Sequence, residues 1–337
     1  MSTSKRITGT LAIPVIAVII LEVICLGNGQ HIITNIRSFN NFVVYTAIVM
    51  VTTMALSINL NSGRFDFSLG SMAALSAVIG AKASYAVLGG GAGSAVFMLL
   101  VTIMAGAVLG LVSGILYISL RIPPIITSLG VTLIYEGILY TITGGKYVMT
   151  EVQNSSMSGF VGTWIYAAVI IMVVLAFMII VFDYTKFGYD YSALKNGQKV
   201  AVNTGIREIR NAIGCYVICG ALMGIVGFLN AARSTNINGG QLNFSSISIM
   251  FTAFLPMFIG SYISRFSNEK LGFLLAALCM SLLNSTFAAL SNVVTASMQS
   301  IINAVLLVVF LIYLNNENLL IRIFSVRKNF PQGKSNG

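Results

Sequence analysis

The chain has 337 residues, of which 57% are hydrophobic and only 8% charged. Soluble domains run near 25% charged, so this composition excludes a water-soluble protein and defines an all-α polytopic membrane protein. A membrane β-barrel is disfavoured, because barrel strands alternate over roughly ten residues, and the apolar runs here are continuous and of the roughly 20-residue length that crosses a bilayer as a helix. The net charge of +10 would suggest nucleic acid in a soluble protein; here it follows from lysine and arginine collecting at the cytoplasmic ends of spans.

About ten transmembrane helices are expected. Lys5 and Arg6 precede an apolar run from Leu11 to about Gly27, read as an uncleaved first span interrupted by Glu22. The second span is expected at about 42–58, and a polar interruption, Asn59 to Ser68, precedes the third at about 69–88. The fourth, at about 94–120, carries Gly106, Gly110 and Gly114 on one face, a spacing that admits a neighbouring backbone. Arg121-Ile122-Pro123-Pro124 ends it, and the fifth follows at about 125–142 with Glu136 inside. A polar loop to about Gly162 leads to the sixth span at about 163–182. The seventh, at about 211–232, has Gly220, Gly224 and Gly227 at close-packing spacing. A segment rich in Asn, Gly and Ser, Arg233 to Ser246, precedes the eighth span at about 247–263, where Pro256 should kink the helix. The ninth and tenth are expected at about 271–290 and 296–314, before a basic tail.

An even number of spans puts both termini on one side. With the termini inside, Arg37, Lys82, Lys146 and Arg233 are left outside out of 19 lysines and arginines, which supports an N-in, C-in topology. The longest polar break, Asp183 to Arg210, then lies in the cytoplasm. Within it Asn196 can cap a short helix from about Gly197 to Thr204, and Gly205 can end that helix in the left-handed conformation. No soluble domain is attached; residues 1–337 read as a single transmembrane domain. Cys25, Cys215, Cys219 and Cys279 all lie in apolar runs without accompanying histidine, so they are packing residues, and no metal site or cofactor is expected. His31 lies outside the first span and has no partner for dyad chemistry. Catalytic residues are not expected.

The chain echoes itself. The stretch from Asn61 to Ser71 resembles that from Asn238 to Ser248: Asn61/Asn238, Gly63/Gly240, Phe67/Phe244, Ser68/Ser245 and Ser71/Ser248 are identical, and Asp66 stands opposite Asn243. An odd number of spans separates the copies, so they would form an inverted repeat with a pathway at its interface. Ser68 and Asp66 are placed to accept from the free amides starting the third span, and Ser245 from those of the eighth. An ionised Asp66 at mid-bilayer would cost about 2.5–3.5 kcal/mol, which favours a polar boundary near Arg64. Asn59, Asn61, Asp66, Ser68, Asn238, Asn243 and Ser245 are the candidate path residues.

Three stretches resemble the permease subunits of ribose-type ABC importers, relatives of the branched-chain amino acid permeases. Ser62 to Ser71 is similar to the family's Gly-Gly-Ile-Asp-Leu-Ser-Val-Gly-Ser. Leu120 to Gly130, continuing through Glu136-Gly137 to Thr143-Gly144-Gly145, is the closest. Gly197 to Ile206 resembles the family's segment that docks on the ATPase. The resemblance implies a permease that forms a dimer with a second copy, a homodimer or a heterodimer. It also implies an ATPase bound inside and a cargo delivered by an extracytoplasmic solute-binding protein. Asn196, Gly197, Lys199, Ala201, Thr204 and Gly205 would then couple to the ATPase. Gln198 and Lys199 stand where the family has acidic residues, and the turn before the ninth span, Gly260 to Gly272, lacks the family's glycine-rich run.

The expected function is therefore import of a small polar solute, a monosaccharide first, with a nucleoside or branched-chain amino acid as the alternative cargo. An ion-coupled secondary transporter is the reading from a different class, with Glu136 as the first suspect for proton coupling; the plainer role expected of Glu136 is a hydrogen-bonded interior or interfacial acid. An intramembrane enzyme lacks the paired carboxylates it would need.

Overall fold

The computed structural model describes residues 3–91, 93–156 and 164–315. The end of the polar loop before the sixth span and the basic C-terminal tail lie outside the described residues. The helices are α1 (Thr3–Gly27), α2 (Ile36–Asn61), α3 (Leu69–Leu88), α4 (Ser94–Leu120), α5 (Pro124–Thr143), α6 (Thr150–Ser156), α7 (Trp164–Tyr184), α8 (Lys186–Asn203), α9 (Glu208–Ser234), α10 (Ile247–Phe251), α11 (Phe254–Ile263), α12 (Glu269–Ala289) and α13 (Ala296–Asn315). Strands β1 (Tyr147–Val148) and β2 (Ile237–Asn238) pair antiparallel, Tyr147 opposite Asn238.

The local chemistry fixes most boundaries. Asn35 Oδ1 accepts the Ser38 amide at the start of α2, and Asn268 Oδ1 accepts the Lys270 amide at the start of α12. Pro124 occupies the first turn of α5, where its missing N–H costs nothing. Gly89 and Gly144 close α3 and α5 in the left-handed conformation.

Among the described residues nine helices are long and apolar enough to cross a membrane. The expected eighth span is broken: α10 and α11 meet at Thr252–Ala253. The break lies one turn before Pro256, which lacks the amide that would bond the Thr252 carbonyl and whose ring crowds that carbonyl, as expected of a proline kink. Pro256 itself sits in the first turn of α11, where amides lack helical partners anyway.

The described residues up to Leu290 pack as one unit. At its centre lies α2, buried without interruption from Thr46 to Asn59 and packed against α7, α9, α11 and α12. α3 and α4 close on α9 from another side. The seam between α4 and α9 is backbone against backbone. A Cβ at Gly106 would overlap the Gly220 carbonyl, one at Gly110 the Tyr216 carbonyl, and one at Gly224 the Thr102 carbonyl. Outward faces of α1, α4 and α7 are apolar, including Ile19, Val23, Met104, Val108, Met172 and Val173, as lipid contact requires. α13 belongs to a separate unit and is apolar and exposed along its length, including Ile301, Val308 and Ile312.

Polar contacts gather into two rims. In one, the ends of α2 and α7, α8 and the start of α12 meet: Asn61 and Lys195 both donate to Glu269 Oε1, at 3.2 and 3.4 Å, and Lys270 pairs with Asp183. In the other, Lys82 of α3 pairs with Glu151 of α6 at 3.3 Å, Thr143 Oγ1 donates to the Gly239 carbonyl, and β1 pairs with β2. The first rim carries the segment that the charge distribution puts in the cytoplasm.

Candidate functional site

The two echoing stretches form facing turns. The first, residues 62–68, joins α2 to α3; the second, residues 239–246, joins β2 to α10. They touch where a Cβ at Gly70 would overlap the Ser246 carbonyl. Phenylalanines seal the contact. Phe65 and Phe67 lie 4.6 Å apart edge to face, Phe65 stacks on Phe254 at 5.8 Å, and Phe67 reaches Phe251 at 6.4 Å.

Each turn is organised by one buried carboxylate. Asp66 is 1% exposed. Its Oδ1 accepts the Ser68 amide at 2.9 Å and the Ser68 hydroxyl at 2.6 Å, and its Oδ2 accepts Asn59 Nδ2 at 3.3 Å. Asp66 thus belongs to the interior rather than to a polar boundary, and its partners are Ser68 and Asn59 rather than Arg64. Ser68 occupies the N-cap position of α3 but donates its hydroxyl to Asp66 instead of accepting from the helix.

In the second turn the carboxylate comes from another helix. Glu136 of α5 is fully buried. Its Oε1 accepts the Ser246 amide at 2.9 Å and hydroxyl at 2.6 Å, and its Oε2 accepts the Phe244 amide at 2.9 Å. These bonds pin the turn in which Asn243 and Phe244 stand at φ 57° and 66°, a conformation that asparagine tolerates but that costs Phe244 about 1–2 kcal/mol. Ser245 does not cap α10. It is exposed and accepts only the Ser248 hydroxyl through its main chain, while Ser246 takes the buried place.

Of the expected path residues, Asn59, Asp66 and Ser68 converge in the first turn. Asn61 instead belongs to the rim with Glu269 and Lys195. Asn238 is exposed in β2, its Oδ1 accepting the Gly240 amide at 2.9 Å. Asn243 and Ser245 are exposed on the second turn. Glu136 and Ser246 were not expected there. The apolar setting of Glu136 marks it as a buried acid, but its pairing to a segment more than 100 residues on leaves no local trace.

The stretch from Asp183 to Arg210 folds as α8 and the start of α9. Thr185 caps α8 by accepting the Gly188 amide. Gly197, at φ 178° and ψ 81°, breaks α8 into two parts. Asn196 does not cap the second part; its Nδ2 donates to the Ser192 carbonyl at 2.9 Å, closing the first. The second part ends with Thr204 Oγ1 donating to the Ala201 carbonyl at 2.8 Å and Gly205 at φ 92°. Ala201 is buried, whereas Lys199 is exposed and Val200 and Ile209 are 70% and 61% exposed. Beside them a cleft of about 730 Å³ is lined by Lys186, Asp190, Thr204, Arg207 and Arg210 among others. Tyr191 ties α8 to the core, its hydroxyl donating to the Ile58 carbonyl at 3.0 Å. Burial, first of all, pushes the Tyr191 phenol up from its ordinary range, so it stays a donor.

The described residues thus form a many-spanned helical bundle with two facing turns inside it and a polar helix, α8, tied to the end of α2. Residues 38–312 match the family described as branched-chain amino acid transport system / permease component, and the chain belongs to that family. It is 26% identical to the galactose/methyl galactoside import permease protein of Haemophilus influenzae over 219 residues, 59% of this chain and 64% of that one. It is 24% identical to the autoinducer 2 import system permease protein of Photorhabdus luminescens over 293 residues, 84% of this chain and 83% of that one. It is 27% identical to the L-arabinose ABC transporter permease protein of Azospirillum brasilense over 195 residues, 56% of this chain and 52% of that one. The match to the Haemophilus protein thus spans just under two thirds of its length. No solved structure matches the chain.

Proposed function

We propose that this chain is the membrane-spanning subunit of a prokaryotic inner-membrane ABC importer carrying a monosaccharide or a closely related polyol. The observation that carries this reading is family membership together with relatives named for galactose, autoinducer 2 and arabinose. A separate ATPase would hydrolyse ATP and dock on the exposed face around Val200, Val202 and Ile209, an apolar patch outside the spans of the kind that marks a partner surface. An extracytoplasmic binding protein would deliver the cargo, and a second permease copy would complete the pathway.

The structure suggests how movement reaches the pathway. Tyr191 and Lys195 connect α8 to the end of α2 and to Glu269, and Asn59 of α2 holds Asp66. A displacement of α8 is thus felt within a few bonds at the first turn. The uncharged carboxamide and hydroxyl groups of Asn59 and Ser68 suit a polyol that must bind weakly and leave. The test is uptake by proteoliposomes holding the chain with its ATPase and binding protein, scanned with galactose, arabinose, ribose, a nucleoside and leucine. ATP-dependent uptake of a sugar is the expected result. Uptake of leucine alone, or uptake driven by an ion gradient without ATP, overturns it.

A further inference from the structure

Arg64 lies in the first turn and is 5% exposed, and its Nε and Nη1 have no hydrogen-bond partner among the described residues. A guanidinium stays charged in proteins and offers donors in a fixed fork. Leaving such donors idle in a protein interior is costly, so a conformation that pairs them gains by comparison.

Acceptors that could use them are close by. Asn59 Oδ1 is also buried and without a partner, and the Arg64 amide already bonds the Asn59 carbonyl at 2.9 Å. Asp66 stands two residues on, and Cα atoms at that separation lie within about 7 Å, inside the reach of an arginine side chain. Asp66 Oδ1 is used twice by Ser68, but Oδ2 accepts a single bond, the 3.3 Å contact from Asn59. Arg64 is also within electrostatic reach of Tyr191 on α8 and of Cys215, Tyr216 and Cys219 on α9. It therefore stands where the contact between α8 and α2 meets the first turn.

We propose that Arg64 is a gate residue that changes partners during transport. In the conformation seen here its Nε and Nη1 are idle and Asp66 holds Ser68 at the head of α3. In the alternate conformation, reached when α8 pushes on the end of α2, the guanidinium takes Asp66 Oδ2 and Asn59 Oδ1. That exchange loosens Asn59 from Asp66 and lets the start of α3 shift. The inference rests on the transport reading, and its test separates the two.

The test compares Arg64→Met, Asp66→Asn and the double variant by thermal unfolding of the purified chain and by ATP-driven uptake in proteoliposomes of the whole transporter. Methionine keeps much of the volume and removes the buried charge, so the unfolding midpoint of Arg64→Met should rise by about 2–4 °C. Uptake should fall by about tenfold or more, as the loss of a charge-assisted contact in one conformation predicts. The double variant should transport no worse than Arg64→Met, because both changes remove one pairing. Arg64→Gln, which keeps a shorter donor, should fall between wild type and Arg64→Met in uptake. A lowered midpoint for Arg64→Met shows that the residue serves the resting fold and overturns the proposal. A raised midpoint with full uptake overturns it equally, as does strict multiplicativity of the two losses. If the wild-type transporter fails to import any sugar, the functional reading falls, while the midpoint shift still reports on the idle charge.

Discussion

Glu136 offers the most direct test of how the second turn is held. Replacing it with alanine removes the acceptor for the buried Ser246 amide and hydroxyl and for the part-buried Phe244 amide. Each buried donor left unpaired costs about 1–3 kcal/mol; the Ser246 hydroxyl can rotate to a new acceptor but the two amides cannot, so Glu136→Ala should lose about 2–4 kcal/mol. At about 1.5 °C per kcal/mol for a chain of this length, the unfolding midpoint in detergent should drop by roughly 3–6 °C. Ser246→Ala removes two atoms of the network but leaves its amide bond intact, and should lose about 1–2 kcal/mol. The two losses should fall short of adding in the double variant. Glu136→Gln keeps one acceptor oxygen and presents an NH₂ to donors, and should lie between the alanine variant and wild type. Were Glu136→Gln to leave the midpoint unchanged while abolishing uptake driven by a proton gradient, the residue would be a coupling acid and this account of the turn would be wrong.

The other predictions follow the same contacts. Gly220→Ala places a Cβ on the Gly106 carbonyl, and overpacking of this kind costs about 1–3 kcal/mol; Gly114→Ala, whose Cβ would meet the Tyr216 side chain, should lower the midpoint less. Ala201→Trp, or Gly205→Val at its φ of 92°, should leave the chain inserted while ATP hydrolysis by the assembled transporter no longer drives uptake; normal uptake would refute the coupling role. Tyr191→Phe leaves the Ile58 carbonyl without its hydroxyl partner and should cost about 0.5–1.5 kcal/mol. Because burial keeps the wild-type phenol protonated beyond its ordinary range, uptake should show no loss from Tyr191 near its ordinary pKa of about 10, whereas the phenylalanine variant should be slower at every pH.

The helices were legible because lipid-spanning segments carry their signal in a single property, continuous apolar length. Expected and observed boundaries of α3 and α4 coincide, and those of α9 differ by a few residues where polar ends continue the helix. The break between α10 and α11 was legible in Pro256, although it falls a turn earlier, at the carbonyl that the proline ring crowds. The echo between the two turns was visible as sequence identity, yet identity misled about its second half: Asn243 aligns with Asp66, but the structural counterpart of that carboxylate is Glu136, delivered from a different helix. Ser245 aligns with Ser68, but Ser246 does its work. Position along the chain records which residues are neighbours in a turn, not which side chain another helix will bring to it. Arg64 was noticed only as a companion for Asp66. Its idle donors are a property of burial, which no residue pattern displays.

The glycine seam has a mechanical meaning beyond its packing. Side chains at a helix interface act as springs, since each can switch rotamer and absorb a displacement. Between α4 and α9 there are no such springs over the contact of Gly106, Gly110, Gly220 and Gly224, so the pair slides or tilts as a stiff beam. One end of that beam, Glu208, follows directly on the segment carrying Ala201 and Gly205, and the other runs into β2 and the second turn. Under the proposed coupling, a push at the rim around α8 would arrive at the far rim with little lost on the way. The two turns would then receive the same stroke from opposite ends, one through α2 and one through α9.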